Sequence, residues 1–437
     1  MKYSKATFIT IGCKVNFYDS EAMAELFRQA GYEIVENTEA ADVYVVNTCT
    51  VTSVGDKKSR QAIRKVKRLN PNAIVVAAGC YTQTAPKDIE AVEGVNILIG
   101  TDGRNRIVDI VENYDGKGVL NLVGDIMKVR DFEPLKIDTL KDRTRAYIKI
   151  QEGCNRFCSY CMIPFARGPV RSRDLEDILS EVKALSENGF KEVVLTGIHV
   201  ASYGIDKKGI CLADVLKEVS KIGGIERIRL SSVEPTVITD EFLKVLSELP
   251  KMCHHFHLSL QSGCDKTLKA MNRRYTAEEY YNAVCRLRSL WSDCAVTTDI
   301  IAGFPGETEE DFAESLAFAE KCKIMKIHAF PFSPKRGTKA AAMSEQLPHG
   351  VKQARVKRLI ELSEKNAYEF LGGLKGKEYD VLFEEKISEG LYKGHTSNYI
   401  CVTAESSGNI VNRVLKVRLD NIVDSENMSG CITAEKT

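Results

Sequence analysis

Three cysteines stand at spacing C-x3-C-x2-C in the stretch Glu152-Gly153-Cys154-Asn155-Arg156-Phe157-Cys158-Ser159-Tyr160-Cys161. One tight loop at that spacing can turn three thiolates toward a single centre. A cubane iron–sulfur cluster takes four cysteines for full ligation by protein, so three leave one iron open. Catalytic metal sites generally keep such a position free for a substrate or cofactor. Gly153 allows a sharp bend before the first cysteine. Phe157 and Tyr160 are placed to shield a cluster from water, which tunes its potential. The same residues also read as buried cysteines or part of a zinc site. Zinc would ordinarily pair C-x2-C with a second pair or with histidines, and no histidine lies between Cys161 and His199.

The elements that must hold this loop follow a strand–helix alternation. Residues 6–12, 32–35, 41–46, 73–78 and 96–99 read as strands. Helical patterns run from Asp19 and from about Val54 to Leu69, the latter stopped by Asn70-Pro71. That order predicts a parallel, doubly wound α/β sheet. Cys13, Cys49 and Cys80 each fall just past the end of one of these strands, the edge where ligands gather in open α/β sheets. One such cysteine is ordinary core; three at equivalent places point to a second metal–sulfur centre. The helix that follows Cys49 carries Lys57, Lys58, Arg60, Arg64, Lys65, Lys67 and Arg68 against Asp56 alone. Lys57, Arg60, Arg64 and Arg68 fall on one face. So many like charges repel, and an anionic partner such as RNA phosphate would relieve them; a merely solvated face is the plainer reading.

Residues 101–143 are weakly patterned and are expected to link two domains. From Arg145 onward, strands are expected at 145–150, 192–195, 227–230, 255–260, 295–300 and 326–330, separated by helices. Six such units make a partial TIM-like barrel, whose chemistry sits at the carboxyl ends of its strands. Thr196, Gly197, Ser232, Glu234, Gln261, Asp299, Gly303 and Phe332 are expected at or near those ends. Glu234 is a candidate for ribose hydroxyls. The segment Gly303–Glu307 lacks the Gly-Lys-Ser/Thr ending of a phosphate loop and reads as a turn. His254, His255 and His257 straddle a strand and are assigned structural roles. A basic helix at 349–371 ends at Gly372-Gly373, and residues 374–437 read as five short strands forming a small β-barrel. Domain boundaries are expected at 1–125, 140–371 and 373–437.

Lys and Arg number 61 and Asp and Glu 60, so nucleic-acid binding would have to come from local patches. Fourteen cysteines with no secretory start favour a reducing compartment and metal or catalytic use. The eight outside the two sets have no paired spacing. No apolar run approaches the ~20 residues of a membrane helix, and the expectation is a cytoplasmic protein with no membrane partner, monomeric for preference.

On these motifs the chain resembles the radical S-adenosylmethionine (SAM) superfamily, and 151–173, QEGCNRFCSYCMIPFARGPVRSR, resembles the methylthiotransferases within it. Thr10–Asn16 with Tyr18–Glu21, Val46–Cys49 and Ala78–Cys80 are similar to that family's N-terminal cysteine motifs, and 374–437 to the TRAM domain. The resemblance implies two [4Fe–4S] clusters. The Cys154, Cys158, Cys161 cluster would bind SAM and cleave it to a 5′-deoxyadenosyl radical. The Cys13, Cys49, Cys80 cluster would supply or carry sulfur. The SAM contacts would come from the strand-end residues named above, although TGIHV at 196–200 lacks the carboxylate of the usual Gly-Gly-Glu motif. Substrate would be the anticodon loop of tRNA, and a flavodoxin or ferredoxin would donate electrons. Gly12-Cys13-Lys14-Val15-Asn16 and the basic helix are most similar to the branch acting on N6-threonylcarbamoyladenosine. An isopentenyladenosine, a ribosomal-protein aspartate, or a non-catalytic electron-transfer or cluster-carrier role remain open. The TRAM-like segment has eight basic and ten acidic residues, so RNA contact there would rest on stacking by residues such as Tyr392 or Tyr399.

Overall fold

The computed structural model describes residues 3–36, 39–137 and 144–435. The first domain contains β1 (Lys5–Thr10), α1 (Lys14–Gln29), β2 (Glu33–Ile34), β3 (Val43–Thr48), α2 (Ser53–Leu69), β4 (Ile74–Gly79), α3 (Cys80–Thr84), α4 (Pro86–Glu90), β5 (Ile97–Leu98), α5 (Ile107–Glu112) and β6 (Leu120–Asn121). The sheet runs β2-β1-β3-β4-β5-β6, every pair parallel. β3 and β4 are wholly buried and rich in Val, Ile and Ala, as central strands covered on both faces must be. Met23 and Phe27 of α1 pack on one face with Ile107 and Val111 of α5; Ile63 and Val66 of α2 cover the other. The strand order reverses between β1 and β3, which opens a crevice at their carboxyl ends.

Two expectations change here. The helix predicted from Asp19 begins at Lys14, because Asn16 and Asp19, polar residues that interrupt the apolar rhythm, are buried. The weakly patterned stretch contributes a sixth parallel strand, β6. The link expected between the domains runs partly through 138–143, and the barrel start expected at 140 falls there too, outside the described residues.

The second domain contains β7 (Arg145–Glu152), α6 (Ile163–Arg167), β8 (Arg171–Ser172), α7 (Leu175–Glu187), β9 (Glu192–Gly197), α8 (Leu212–Ser220), β10 (Arg227–Leu230), α9 (Asp240–Ser247), β11 (His255–His257), α10 (Asp265–Ala270), α11 (Ala277–Leu290), β12 (Ala295–Ala302), α12 (Glu309–Lys321), β13 (Lys326–Pro331) and α13 (His349–Gly372). β7, β9 and β10 pair in parallel, as do β11, β12 and β13, and single bridges Ile228–Met252 and Val233–Leu258 join the two sets into one open array. β8 adds an antiparallel edge beside β7. Outward residues such as Ile148, Val193, Ile228, Phe256 and Val296 form the core under the helices. The alternate residues, pointing into the lumen, are largely polar or charged. α13 is basic, but Arg355 and Arg358 pair with Glu307 and Glu309, and Lys365 with Glu320, so much of its charge is spent inside the domain.

The third domain is a closed barrel, β14 (Glu378–Ser388), β15 (Leu391–Thr396), β16 (Cys401–Glu405), β17 (Val414–Ile422) and β18 (Asn427–Glu435), in the order β14-β15-β16-β18-β17. It docks against the amino ends of the lumen strands. Arg227 donates to the His395 (2.7 Å) and Asp380 (2.5 Å) carbonyls, and Arg229 to that of Ser397 (3.1 Å). Tyr392 lies in its core at 3% exposure. Tyr399 stacks between His255 and His395, both rings at 4.9 Å, with Arg145 and Arg229 against its ring. Neither tyrosine is the open stacking surface expected for RNA.

Candidate active site

β7 ends at Glu152, and the chain reverses at Gly153 with φ +73°. A Cβ there would stand 1.9 Å from the Pro169 carbonyl oxygen, so only glycine fits. The Cys154 N–H donates to the Gly168 carbonyl and the Cys161 N–H to that of Cys158, both at 3.0 Å. The loop is held from outside by Ser159 N–H on the Met271 carbonyl (3.0 Å), Ala340 N–H on that of Ser159 (2.8 Å), and Asn272 Nδ2 on that of Phe157 (3.0 Å). Each sulfur has an N–H donor: Arg156 N to Cys154 Sγ (3.4 Å), Arg273 Nη1 to Cys158 Sγ (3.3 Å) and Ile163 N to Cys161 Sγ (3.4 Å). Burial pushes the Cys154 thiol up to about 11 and the Cys161 thiol to about 12, the second also through Cys158 and Cys154 beside it. The thiolate form therefore needs a metal in addition to these N–H donors. The donor set suits cluster ligation. Tyr160 is turned inward among Phe304, Phe332 and Met271. Phe157 is exposed and pairs edge-on with Phe165 at 5.8 Å.

The other three cysteines meet at the crevice of the first sheet. Cys13 follows β1, Cys49 follows β3 and Cys80 opens α3 after β4. Gly12, at φ +122°, lets Cys49 approach; a Cβ there would lie 3.0 Å from the Cys49 Cβ. Asn16 Nδ2 donates to the Ile11 (2.7 Å) and Thr48 (3.0 Å) carbonyls, and Asn47 Nδ2 to that of Asn16 (2.9 Å), which ties the strand ends together. Burial raises the Cys49 thiol and pushes the Cys80 thiol to about 11, and Cys13 acts electrostatically on both.

A residue the sequence reading passed over connects the triads. Arg167, at the end of α6, donates to Cys80 Sγ (3.1 Å), Asn16 Oδ1 (2.6 Å), Asp19 Oδ2 (2.7 Å) and Glu152 Oε1 (2.8 Å). Glu152 leads directly into Gly153 and Cys154. Lys149 bonds Asp19 (2.5 Å) and Glu152 (2.8 Å), and Arg104 pairs with Asp19 and Glu133. Three cations meet three carboxylates, all nearly inaccessible to solvent. Burial opposes the charge on Asp19, but Arg104, Lys149 and Arg167 hold its carboxyl well below the usual range. Glu152, also buried, is held at about 2 by Arg167, Lys149 and Arg104.

The other strand-end residues have different surroundings. Thr196 is buried at the end of β9; a Cβ on Gly197 would crowd the Gln151 carbonyl at 2.9 Å, and Gln151 Oε1 accepts from His199 N–H at 2.7 Å. Glu234 is already engaged by Arg156 (2.8 Å), His199 (3.1 Å) and Arg273 (3.1 Å). Burial disfavours its charge, and those three partners overcome this and hold it at about 2. Its carboxylate, a candidate for ribose hydroxyls, also holds the Arg156 and Arg273 guanidiniums near Cys154 and Cys158. Gln261, at φ +69°, donates its N–H to the Asp299 carbonyl (2.9 Å). Gly303 N–H donates to Glu307 (2.7 Å), and Phe332 packs on Phe304 at 5.5 Å in the cluster that also takes Tyr160.

Ser232 and Asp299 face a cavity of about 540 Å³ between the lumen and the third domain. Lys14, next to Cys13, and Tyr399 also line it. His255 and His257, two residues apart in the strand, share one face without His254, and both meet Thr297 Oγ1 (3.1 and 3.0 Å). Alternation within a strand, read only from the trio with His254, concealed this pair.

On α2, Lys57, Arg64 and Arg68 are exposed, and no ion-pair partner faces them among the described residues. Arg60 is turned aside, bonded to Tyr81 Oη and lying over its ring at 5.6 Å. The helix is anchored at its start by Asp56 on Lys335.

Comparison with known proteins agrees with this arrangement. Residues 148–319 match the radical SAM superfamily, and residues 5–100 match the uncharacterized protein family UPF0004. The chain is 43% identical over 418 residues to threonylcarbamoyladenosine tRNA methylthiotransferase MtaB of Bacillus subtilis, covering 94% of this chain and 93% of that protein. It is 37% identical to the MtaB of Thermotoga maritima, covering 97% and 95%. It is 34% identical to the tRNA-2-methylthio-N(6)-dimethylallyladenosine synthase of Acetivibrio thermocellus, covering 97% and 90%. A solved radical S-adenosylmethionine methyltransferase, TsrM from Kitasatospora setae, shares the fold, with a TM-score of 0.58 at 16% identity over 78% of this chain and 77% of that one. Among the described residues no helix is long and apolar enough to cross a membrane. With radical SAM and N-terminal matches in order and relatives at this identity over nearly the whole chain, the protein belongs to the radical SAM methylthiotransferase family, enzymes that use an iron–sulfur cluster and S-adenosylmethionine.

Proposed function

We propose that this enzyme adds a methylthio group to C-2 of N6-threonylcarbamoyladenosine beside the anticodon of tRNA. The observation that carries it is the pair of three-cysteine sets on facing strand ends, joined through Arg167. Cys154, Cys158 and Cys161 would hold one [4Fe–4S] cluster with an iron left for SAM, and Cys13, Cys49 and Cys80 a second. The clusters with SAM would supply the radical that removes an unactivated C–H hydrogen, and the sulfur that replaces it. Gly153 sets the loop bend, and Glu234 holds Arg156 and Arg273 against the sulfurs. Thr196, Gly197, Ser232, Gln261 and Asp299 form the strand-end rim toward the cofactor. Gly303 and Phe332 would be further cofactor contacts, with Phe332 also backing Tyr160. Lys57, Arg64 and Arg68 on α2 would meet RNA phosphates, with Arg60 holding the helix to Tyr81. Working domains of 1–125, 140–371 and 373–437 fit this division of labour. A small flavoprotein or ferredoxin would supply electrons, and one chain contains every group named.

The MtaB relatives favour threonylcarbamoyladenosine over dimethylallyladenosine as substrate. Nucleoside mass spectrometry tests it, on tRNA from a host lacking its own methylthiotransferases and expressing this protein or Cys158→Ala. A methylthio gain on threonylcarbamoyladenosine, absent with the variant, is expected. A gain on dimethylallyladenosine instead overturns the substrate, and no gain on any nucleoside overturns the tRNA reading.

A further inference from the structure

The cavity between the lumen and the third domain has a chemical character of its own. Its walls come from all three domains, with Lys14 from the first, His255, His257 and Thr297 from the second, and Tyr399 from the third. Lys14 reaches toward the Tyr147 ring (5.9 Å), and among the described residues no carboxylate lies within ion-pair distance of its ammonium. The neighbouring cations are matched: Arg229 with Glu192 (2.7 Å), Arg145 with Glu384, and Lys326 with Glu426 (2.6 Å). His255 is 7% exposed, yet its Nδ1 has no hydrogen-bond partner. A buried polar atom without a partner beside an unmatched ammonium is costly unless a ligand completes both. Such a ligand must bring an anionic oxygen and further hydrogen-bonding groups.

We propose that this cavity receives the N6 side chain of the modified adenine, with Lys14 binding its threonyl carboxylate and the His255–Thr297–His257 group binding its hydroxyl and carbamoyl atoms. The proposal rests on the substrate reading above and deepens it. Ser232 and Asp299, on the same cavity wall, place it beside the strand-end rim, and Lys14, the residue after Cys13, places it near the first triad. A dimethylallyl group offers neither charge nor donor, and would strip water from Lys14 and leave it unmatched. A site built to hydrogen-bond its ligand rejects an analogue lacking those groups by about 10⁴- to 10⁵-fold.

The test uses the holoenzyme without reductant. Anticodon stem-loop RNA carries threonylcarbamoyladenosine either as the free acid or as its methyl ester, and binding is followed by fluorescence anisotropy. The wild type is expected to bind the acid about 10- to 100-fold more tightly than the ester, the range of a charge-assisted hydrogen bond. Lys14→Gln is expected to abolish that preference and to leave ester and SAM affinities unchanged. Thr297→Val is expected to weaken acid and ester alike, by about fivefold. Iron content is measured on every variant because Lys14 adjoins Cys13; if Lys14→Gln loses iron, Thr297→Val decides, and unchanged RNA binding by it overturns the proposal. A Lys14→Gln enzyme with full iron that keeps the acid preference, or loses SAM affinity instead, also overturns it. Wild type active on threonylcarbamoyladenosine but indifferent to the ester sinks only this inference. Wild type active on dimethylallyladenosine alone sinks the substrate reading beneath it.

Discussion

Replacing Arg167 by methionine keeps most of the side-chain volume and removes one charge from a buried set of six. In the native protein Arg104, Lys149 and Arg167 balance Asp19, Glu133 and Glu152, all between 0% and 8% exposed. The variant leaves one carboxylate unmatched and withdraws N–H donors from Asp19, Glu152, Asn16 and Cys80. Breaking one partner out of a buried pair costs about 3–5 kcal/mol. Urea unfolding followed by the fluorescence of Trp291, the single tryptophan, measures the loss. Both native carboxyls lie below the ~4 of an unfolded chain, Glu152 at about 2 and Asp19 lower still. Depressed folded values stabilise above the unfolded pKa, and that stability is lost as pH falls through the folded ones. The gap between wild type and variant is therefore widest at neutral pH and narrows as pH drops toward 2. Adding Asp19→Asn to Arg167→Met restores neutrality and is expected to recover part of the loss. A loss under about 0.5 kcal/mol, the range of ordinary surface changes, refutes the reasoning, as does a gap independent of pH.

Gly153→Ala drives a Cβ into the Pro169 carbonyl and is expected to empty the Cys154 site alone, so that, with one [4Fe–4S] cluster at each triad as proposed, iron per chain falls from about eight to about four. Cys80→Ala is expected to give the same iron count by emptying the other triad, and electron paramagnetic resonance of the reduced proteins distinguishes the two. Lys57→Gln, Arg64→Gln and Arg68→Gln are each expected to lower the salt slope of tRNA binding by roughly 0.7–0.9, whereas Arg60→Gln, held on Tyr81, changes it less. A slope unchanged in all three exposed variants removes α2 from the RNA interface.

Local spacing by itself picked out both cysteine sets, the glycine ahead of Cys154 and the parallel character of the first sheet. Each of these is written in neighbouring residues or in a strand period, so it can be read without knowing what packs against what. The first turn of α1 escaped because its buried face is polar, and a polar face toward another domain looks like solvent in a one-dimensional pattern. Arg167, Asp19 and Glu152 are scattered over nearly 150 positions, and only folding makes them one charge network between the two triads. Glu234 was visible as a strand-end carboxylate, but that two arginines and a histidine would already hold it depended on where Arg156, His199 and Arg273 came to rest. Tyr399 looked like a stacking surface and became a plug, because docking the third domain carried it between His255 and His395. The cavity with Lys14 is the same kind of fact: its walls come from three domains, and charge left unmatched at a junction is decided by the tertiary structure alone.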